Sequence, residues 1–229
     1  MDATSPPTAA LPLSVSARRV VALTIVCGFV EVIGFRDAGG IYPAIMTGNT
    51  VQLGWSLAEA EWTRFALFAW AIGAFFAGCM IASLIRRHLR RPPFELCIMA
   101  ALLVATGFVR LHPAWRVPVE LPMLALALAI QGQTVSRFGG VSLQTLVVTN
   151  NMVKFSDAFV GRYYRRGRGV PAESRPTLAE VLLPALSWLT YSLAAAGGAI
   201  VAGLVSQPLL IPAVLLVLVT VDLVRLPER

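Results

Sequence analysis

Long apolar stretches alternate with short polar ones along this chain of 229 residues. Six apolar stretches have about the length that a helix needs to cross a bilayer, which is roughly 20 residues. A helix satisfies its own backbone hydrogen bonds, so such stretches are typical of transmembrane helices. The pattern predicts an all-α, polytopic transmembrane helical bundle of about six spans: Val20–Phe35, Phe65–Ile85, Phe94–Val109, Val119–Val135, Val181–Val205 and Leu209–Val224.

Two further segments, 39–60 and 141–160, combine apolar residues with a polar cluster. The first contains GGIYPAIMTGNTVQLGW, and we expect it to break a helix near Gly48 and leave backbone groups unpaired. Irregular backbone survives at membrane depth only when it is buried in protein or lines a wet cavity. The residues that we expect to line a substrate site or pore are Glu31, Thr47, Gly48, Asn49, Gln52, Gln133, Thr149, Asn150 and Asn151.

Composition and charge place the chain in a membrane. It is 57% hydrophobic and 14% charged, against about 25% charged residues in soluble domains. The net charge of +7 does not indicate nucleic acid, because the arginines fall between apolar stretches. With six spans and a cytoplasmic N-terminus, the 19 Lys and Arg divide 15 inside to 4 outside, as the positive-inside rule requires. Both termini are then cytoplasmic.

The same rule bears on the two polar segments. If both crossed the membrane, the count would fall to 12 inside and 6 outside, and Lys154 would lie within a span. The charge pattern therefore favours segments that enter the membrane and return on the same side. A full crossing remains the alternative.

The chain also contains a faint internal repeat. MTGNTVQL at 46–53 resembles VTNNMVKF at 148–155, with an offset of 102 that also pairs Glu31 with Gln133. Stripes of small residues at spacing four follow each segment, at Ala74, Gly78 and Ala82 and at Ala194, Gly198 and Ala202. The halves, about 20–110 and 118–225, have three spans each, so the second half is inverted. Inverted halves with broken helices at the midplane are typical of transporters. Chance similarity is the alternative.

Glu31 is the main candidate for chemistry. A carboxylate within a span is costly and commonly functional, and we expect it to accept hydrogen bonds from the Thr47–Asn49 region. Alternatively, it lies near the outer headgroups and pairs with Arg36 or Arg64. The polar motifs have a second interpretation as well, in which their hydrogen bonds only hold helices together.

The remaining expectations concern partners and the chain ends. We expect residues 1–17 to form a disordered cytoplasmic tail ahead of a single membrane domain, 18–229. Basic clusters at Arg86–Arg91 and Arg162–Arg168 suit anionic lipid headgroups. No spacing of Cys or His indicates a metal site, no nucleophile–base pair indicates an enzyme, and no cofactor is expected. A homo-oligomer is compatible with the sequence.

The residues GFVEVIGF…GGIYPAIMTGNTVQLG resemble the signature of the YoaK-like bacterial membrane proteins, a family of unknown function. Gly28, Gly39, Gly40 and the Thr47–Asn49 triplet match its pattern, and Glu31 stands where the family usually has Asp. In the second half Gln133 and Thr149 match, whereas Thr134 and Asn150 depart from the usual Asn and Gly. The resemblance implies an inner-membrane protein of about six helices and no settled activity.

Three functions are compatible with these patterns. The first is a permease or channel for a small solute or ion, with its site between the two Thr-containing segments. The second is a structural or interaction protein whose polar motifs are packing contacts. An intramembrane enzyme ranks last, because the sequence lacks a catalytic constellation.

Overall fold

The computed structural model describes residues 12–89, 94–134, 137–138, 140–164 and 175–227. Within them lie eight α-helices, a 3-10 turn at Pro113–Trp115, a π-helical turn at Arg116–Glu120, and two short antiparallel strands, β1 (Arg137–Phe138) and β2 (Val141–Ser142). The helices are α1 (Leu13–Asp37), α2 (Met46–Ala58), α3 (Trp62–His88), α4 (Glu95–Val109), α5 (Leu121–Thr134), α6 (Val148–Tyr163), α7 (Leu178–Leu204) and α8 (Leu210–Arg225).

The predicted helical membrane bundle is confirmed. Three described helical stretches are long and apolar enough to cross a membrane, at Trp62–His88, Pro113–Thr134 and Leu178–Leu204. Each of the six predicted apolar stretches coincides with one helix or, for 119–135, with the π-turn and α5. The exposed face of the bundle is apolar, as lipid requires, and carries large side chains such as Trp70, Phe76, Leu193, Ile200 and Leu218. The count of six spans stays a prediction.

Helix α1 contacts α7, α8 and α5. It packs most extensively on α7, and more lightly on α8. Helix α5 packs most extensively on α3 and also contacts α4. The two short helices lie further out, with α2 on α3 and α6 on α7. Exchanging α1–α4 for α5–α8 therefore reproduces the same set of helix pairs.

Small residues make the closest helix pairs possible. A Cβ on Gly198 of α7 would lie 3.2 Å from Cα of Phe29 in α1. A Cβ on Gly78 of α3 would lie 3.1 Å from Cα of Leu126 in α5. Each glycine belongs to one of the two predicted small-residue stripes. The stripes thus mark equivalent interfaces, where the absence of a side chain lets two backbones approach.

Ion pairs fix both ends of α1, and each end includes a buried arginine. At one end, Arg19 donates to Oδ2 of Asp222 in α8 at 2.7 Å, and Arg18 pairs with the same carboxylate. At the other end, Asp37 pairs with Arg110, which follows α4. Buried pairs with several hydrogen bonds are specific in geometry, so these contacts set the register of α1 against its neighbours.

The predicted tail is too long by five residues. Helix α1 begins at Leu13, and Ser16 is buried, so 13–17 belong to the bundle. The helix extends past its arginines, where both of them bond Asp222 and Arg19 is buried. Residues 1–11 of the predicted tail lie outside the described residues, as do 90–91 and 165–168 of the two basic clusters.

Candidate functional site

The first polar segment turns sharply and returns along α1. Gly39 and Gly40 have φ of +66° and +95°, a conformation that glycine adopts without steric cost. Residues 39–45, called here the first returning segment, then lead to α2, which begins at Met46. The expected break at Gly48 is therefore wrong, because Gly48 lies inside α2. Its missing side chain serves packing instead: a Cβ there would lie 3.1 Å from the ring of Tyr42.

Glu31 holds the first returning segment. Its Oε1 accepts hydrogen bonds from the backbone N–H groups of Ala44 and Ile45, both at 3.1 Å. The carboxyl group is buried, and no described basic side chain pairs with it. The expected contact between Glu31 and the segment therefore exists, although it precedes Thr47 and Asn49. Arg36 and Arg64 are not its partners. Glu31 precedes Asp37, the last residue of α1. At 1.5 Å per residue, Glu31 lies about 9 Å along the helix from Asp37.

Asn49 closes the same segment from the other side. Its Nδ2 donates to the carbonyl oxygen of Tyr42 at 2.8 Å, and its Oδ1 accepts from the Tyr42 N–H at 3.1 Å. The side chain is fully buried. Thr47 and Gln52, by contrast, lie on the exposed side of α2. Only Glu31 and Asn49 among the first-half candidates thus face the protein interior and hold backbone in place.

The second polar segment repeats this course. Gly140 has φ of +88°, β1 and β2 form the turn, and residues 140–147, the second returning segment, lead to α6 at Val148. Asn151 is fully buried and donates from Nδ2 to the carbonyl oxygen of Gln144 at 2.8 Å. Thr149 is exposed and Asn150 is half-buried. Asn151 is thus the second-half candidate that corresponds in position to Asn49.

Gln131, which the sequence reasoning missed, holds the second returning segment. Its Nε2 donates to the carbonyl oxygen of Leu23 at 2.7 Å and to Oγ1 of Thr145 at 3.3 Å. Gln133 bonds α3 instead, through Ser83 at 3.0 Å and the carbonyl oxygen of Cys79 at 2.9 Å. The pairing of Gln133 with Glu31 therefore did not find the residue that holds the segment.

A second glycine pair in the sequence could have identified Gln131. Gly139-Gly140 repeats Gly39-Gly40 at an offset of 100, which aligns Glu31 with Gln131. The offset then rises to 102 at the starts of α2 and α6, because seven residues separate Gly140 from α6 and five separate Gly40 from α2.

One face of α1 connects the two returning segments. Thr24, Cys27 and Glu31 are spaced three and four apart, so they share a helix face, and all three are buried. Cys27 Sγ lies 3.7 Å from Oγ1 of Thr145, and Thr24 Oγ1 lies 3.3 Å from Oγ of Ser187 in α7. Ser187 in turn accepts from Asn151 Nδ2 at 2.9 Å. We call this set the polar file: Thr24, Cys27, Glu31, Gln131, Thr145, Asn151 and Ser187.

A cavity adjoins each returning segment. One has a volume of about 410 Å³ and is lined by Tyr42, Gln52 and Arg64 among others. The other, of about 180 Å³, is lined by Gln133, Gln144 and Thr145 among others. Gln52 and Gln133 therefore line cavities rather than the polar file. Among the described residues, no group of three or more His, Cys, Asp or Glu is placed to hold a metal ion.

The fold and this site define a class: a helical membrane protein in which two short helices and their returning segments pack around a polar face of α1. Residues 20–221 match the family described as Protein of unknown function (DUF1275), and the chain belongs to that family. It is similar to the UPF0700 transmembrane protein YoaK of Bacillus subtilis (strain 168), with 24% identity over 200 residues, covering 80% of this chain and 84% of the relative. No solved structure matches the chain. The YoaK-like resemblance is thereby confirmed.

Proposed function

We propose that the chain is a permease for a small solute or ion, with its path along the polar file. The observation that carries this proposal is a file of buried polar groups, three of them on α1, that contacts both returning segments. Polar groups inside a membrane bundle are costly, and they commonly mark substrate or ion pathways. Glu31 supplies the one carboxyl group of the file.

An inverted repeat is part of the proposal. The exchange of helix pairs, the equivalent glycine contacts and the matching Asn49 and Asn151 hydrogen bonds all support two related halves. Under the positive-inside assignment, α1 runs outward and α5 runs inward. The first returning segment then enters from outside and the second from the cytoplasm, so α2 and α6 do not cross the bilayer.

The two cavities fit alternating access. In this topology the larger cavity opens outward beside the first returning segment, and the smaller one opens inward beside the second. The polar file lies between them. Rocking of one half against the other would open each cavity in turn, which is the usual action of inverted repeats.

The proposal places the protein in the cytoplasmic (inner) membrane of a bacterium, multi-pass, with both termini in the cytoplasm. Arg86 and Arg162 then lie at the cytoplasmic surface, where the two basic clusters meet anionic lipid headgroups. Reporter fusions at residues 1 and 229 test the topology. Both reporters should be active as cytoplasmic fusions, whereas an external C-terminus would exclude six spans.

Transport is tested with purified protein in liposomes. The probes are glycerol and urea, followed by light scattering, and Na⁺, K⁺ and H⁺, followed by enclosed indicator dyes. We expect flux of at least one probe above empty liposomes, and its loss in Glu31→Gln. Glu59→Gln, at an exposed position that follows α2, is the matched control and should keep the flux. Absence of flux for every probe would contradict the proposal.

A structural protein is the second candidate, and one observation favours it. Both polar atoms of Asn49 are satisfied by Tyr42 of the same segment, as in a packing contact. In that case Asn49→Leu lowers the free energy of unfolding, and the wild-type protein shows no flux of any probe.

A further inference from the structure

We infer that the polar file holds a small monovalent cation on the side-chain oxygen atoms of Gln131 and Asn151. This inference deepens the proposed function by naming the class of ion, and its site lies in the second half of the molecule. The observation behind it is that Asn49 and Asn151, which occupy equivalent positions, differ in the hydrogen bonding of their side-chain oxygens.

Asn49 and Asn151 make the same donor contact and differ in the acceptor. The Oδ1 of Asn49 accepts the N–H of Tyr42 at 3.1 Å. The Oδ1 of Asn151 is fully buried and has no hydrogen-bond partner among the described residues. Its amide orientation is fixed, because Nδ2 donates to the carbonyl oxygen of Gln144 and to Ser187. One asparagine therefore completes a packing contact, and the other presents a free oxygen to the polar file.

Gln131 presents a second such oxygen. Its Nε2 is held by the carbonyl oxygen of Leu23 at 2.7 Å, which turns Oε1 away from that bond. Within the part of the chain that the structure describes, Oε1 is buried without a hydrogen-bond partner, and the residue is 1% exposed. A buried acceptor left unpaired costs the full desolvation of that group. The polar file contains two such oxygens, and the proposed cation is the partner that the described protein groups do not supply.

The chemistry of the free atoms selects the ligand. The amide nitrogens of Gln131 and Asn151 are both engaged with backbone carbonyls, so no amide donor is left for an anion. The free atoms are neutral oxygens, and the amide nitrogens of the same two side chains also donate to the hydroxyl groups of Thr145 and Ser187. Carbonyl-type oxygens can replace the hydration shell of an alkali cation. The ligand is thus a cation or a neutral hydrogen-bond donor.

The charge of the polar file favours a cation over a neutral hydrogen-bond donor. Glu31 lies one helical turn from Cys27, on the same face of α1, and has no basic partner among the described residues. Every side chain that bonds Gln131, Thr145, Asn151 or Ser187 is uncharged. A monovalent ion suits this single carboxylate and neutral oxygens, whereas Ca²⁺ sites commonly recruit several carboxylates.

The test is thermal unfolding of the full chain in lipid nanodiscs, in 100 mM chloride salts of Na⁺, K⁺, NH₄⁺ or N-methylglucamine. The last cation is too large for the site and keeps the ionic strength constant. We expect at least one small cation to raise Tm by about 3 °C or more over N-methylglucamine, because a ligand that binds only the folded state stabilises it. If no small cation raises Tm in the wild-type protein, the inference is wrong, whatever the variants do.

Variants locate the effect. Asn151→Leu removes a free oxygen and should weaken the apparent affinity for the cation at least tenfold, and Gln131→Leu should do the same. Asn49→Leu is the matched control: it destabilises the fold but should leave the cation-dependent rise in Tm unchanged. An equal loss in Asn49→Leu and Asn151→Leu would place the cation elsewhere and overturn the assignment. The binding assay needs no transport, so a cation that binds without flux contradicts the proposed function alone, whereas flux without binding contradicts this inference alone.

Discussion

Asn49 and Asn151 lie 102 residues apart and make the same hydrogen bond, each donating from Nδ2 to the carbonyl oxygen of the residue seven positions earlier, at 2.8 Å. In both cases the acceptor belongs to a returning segment and the asparagine to the first turn of the following short helix. An asparagine bonded in this way ties the first turn of the helix to the returning segment before it. The contact therefore explains why each segment returns along the bundle instead of continuing outward.

Substitution of Glu31 separates packing from transport. Glu31→Ala leaves the N–H groups of Ala44 and Ile45 unpaired in the interior, so we expect a loss of about 1–3 kcal/mol in the free energy of unfolding. Glu31→Gln keeps an oxygen for those donors and should fold nearly normally, while flux in liposomes is lost. Denaturation in detergent and flux assays measure the two effects. A Glu31→Gln protein that retains wild-type flux would show that the charge has no part in transport.

Adjacent glycines in α7 offer a matched pair at the interface with α1. Gly198→Ala places a Cβ 2.8 Å from Cγ1 of Val32 and 3.2 Å from Cα of Phe29, so it should cost about 1–3 kcal/mol of stability. Gly197→Ala meets nothing within 4 Å and should be neutral or stabilising by up to about 1 kcal/mol, because alanine favours the helix. Thermal unfolding in nanodiscs compares the two variants. Equal stabilities would show that α1 and α7 do not pack as closely as described.

Breaking the buried Asp37–Arg110 ion pair should destabilise the protein much more than breaking an exposed ion pair. Both side chains are less than one-tenth exposed, so Asp37→Asn leaves a buried guanidinium with its charge unbalanced and should cost about 3–5 kcal/mol. Glu61–Arg64 spans 2.9 Å on the surface, and Glu61→Gln should cost about 0–1 kcal/mol. Replacement of both partners by Asp37→Leu and Arg110→Met should recover most of the loss. A single Asp37→Asn variant as stable as Glu61→Gln would contradict the buried pair.

The sequence predicted the helical membrane bundle, because the length of an apolar stretch is a local property of the chain. It also singled out Glu31, Asn49 and Asn151, since polar side chains are conspicuous among apolar ones. It did not predict Gln131, because the spacing from Gly140 to α6 is two residues longer than that from Gly40 to α2, and the sequence similarity lies in the helices that follow. The sequence predicts a helix break at Gly48 because composition alone does not distinguish a flexible glycine from one that makes room for a ring.

The polar face of α1 was harder to predict for another reason. Thr24 and Cys27 are ordinary residues for a membrane helix, and their spacing from Glu31 gains meaning only when Thr145 and Ser187 are placed against them. Such contacts join residues more than 100 positions apart. Local periodicity contains no information about them.

The measurement that tests the account most directly is the side from which cysteines flanking each polar segment are labelled. In a protein whose Cys27, Cys79 and Cys97 are replaced, single cysteines are placed at the exposed positions Arg36 and Glu59, and at Ser142 and Tyr164. A membrane-impermeant maleimide added outside intact cells should label the first two and neither of the others, and inverted vesicles should give the reverse. Labelling of Arg36→Cys and Glu59→Cys from opposite sides would mean that α2 crosses the membrane, and the two inverted returning segments would not exist.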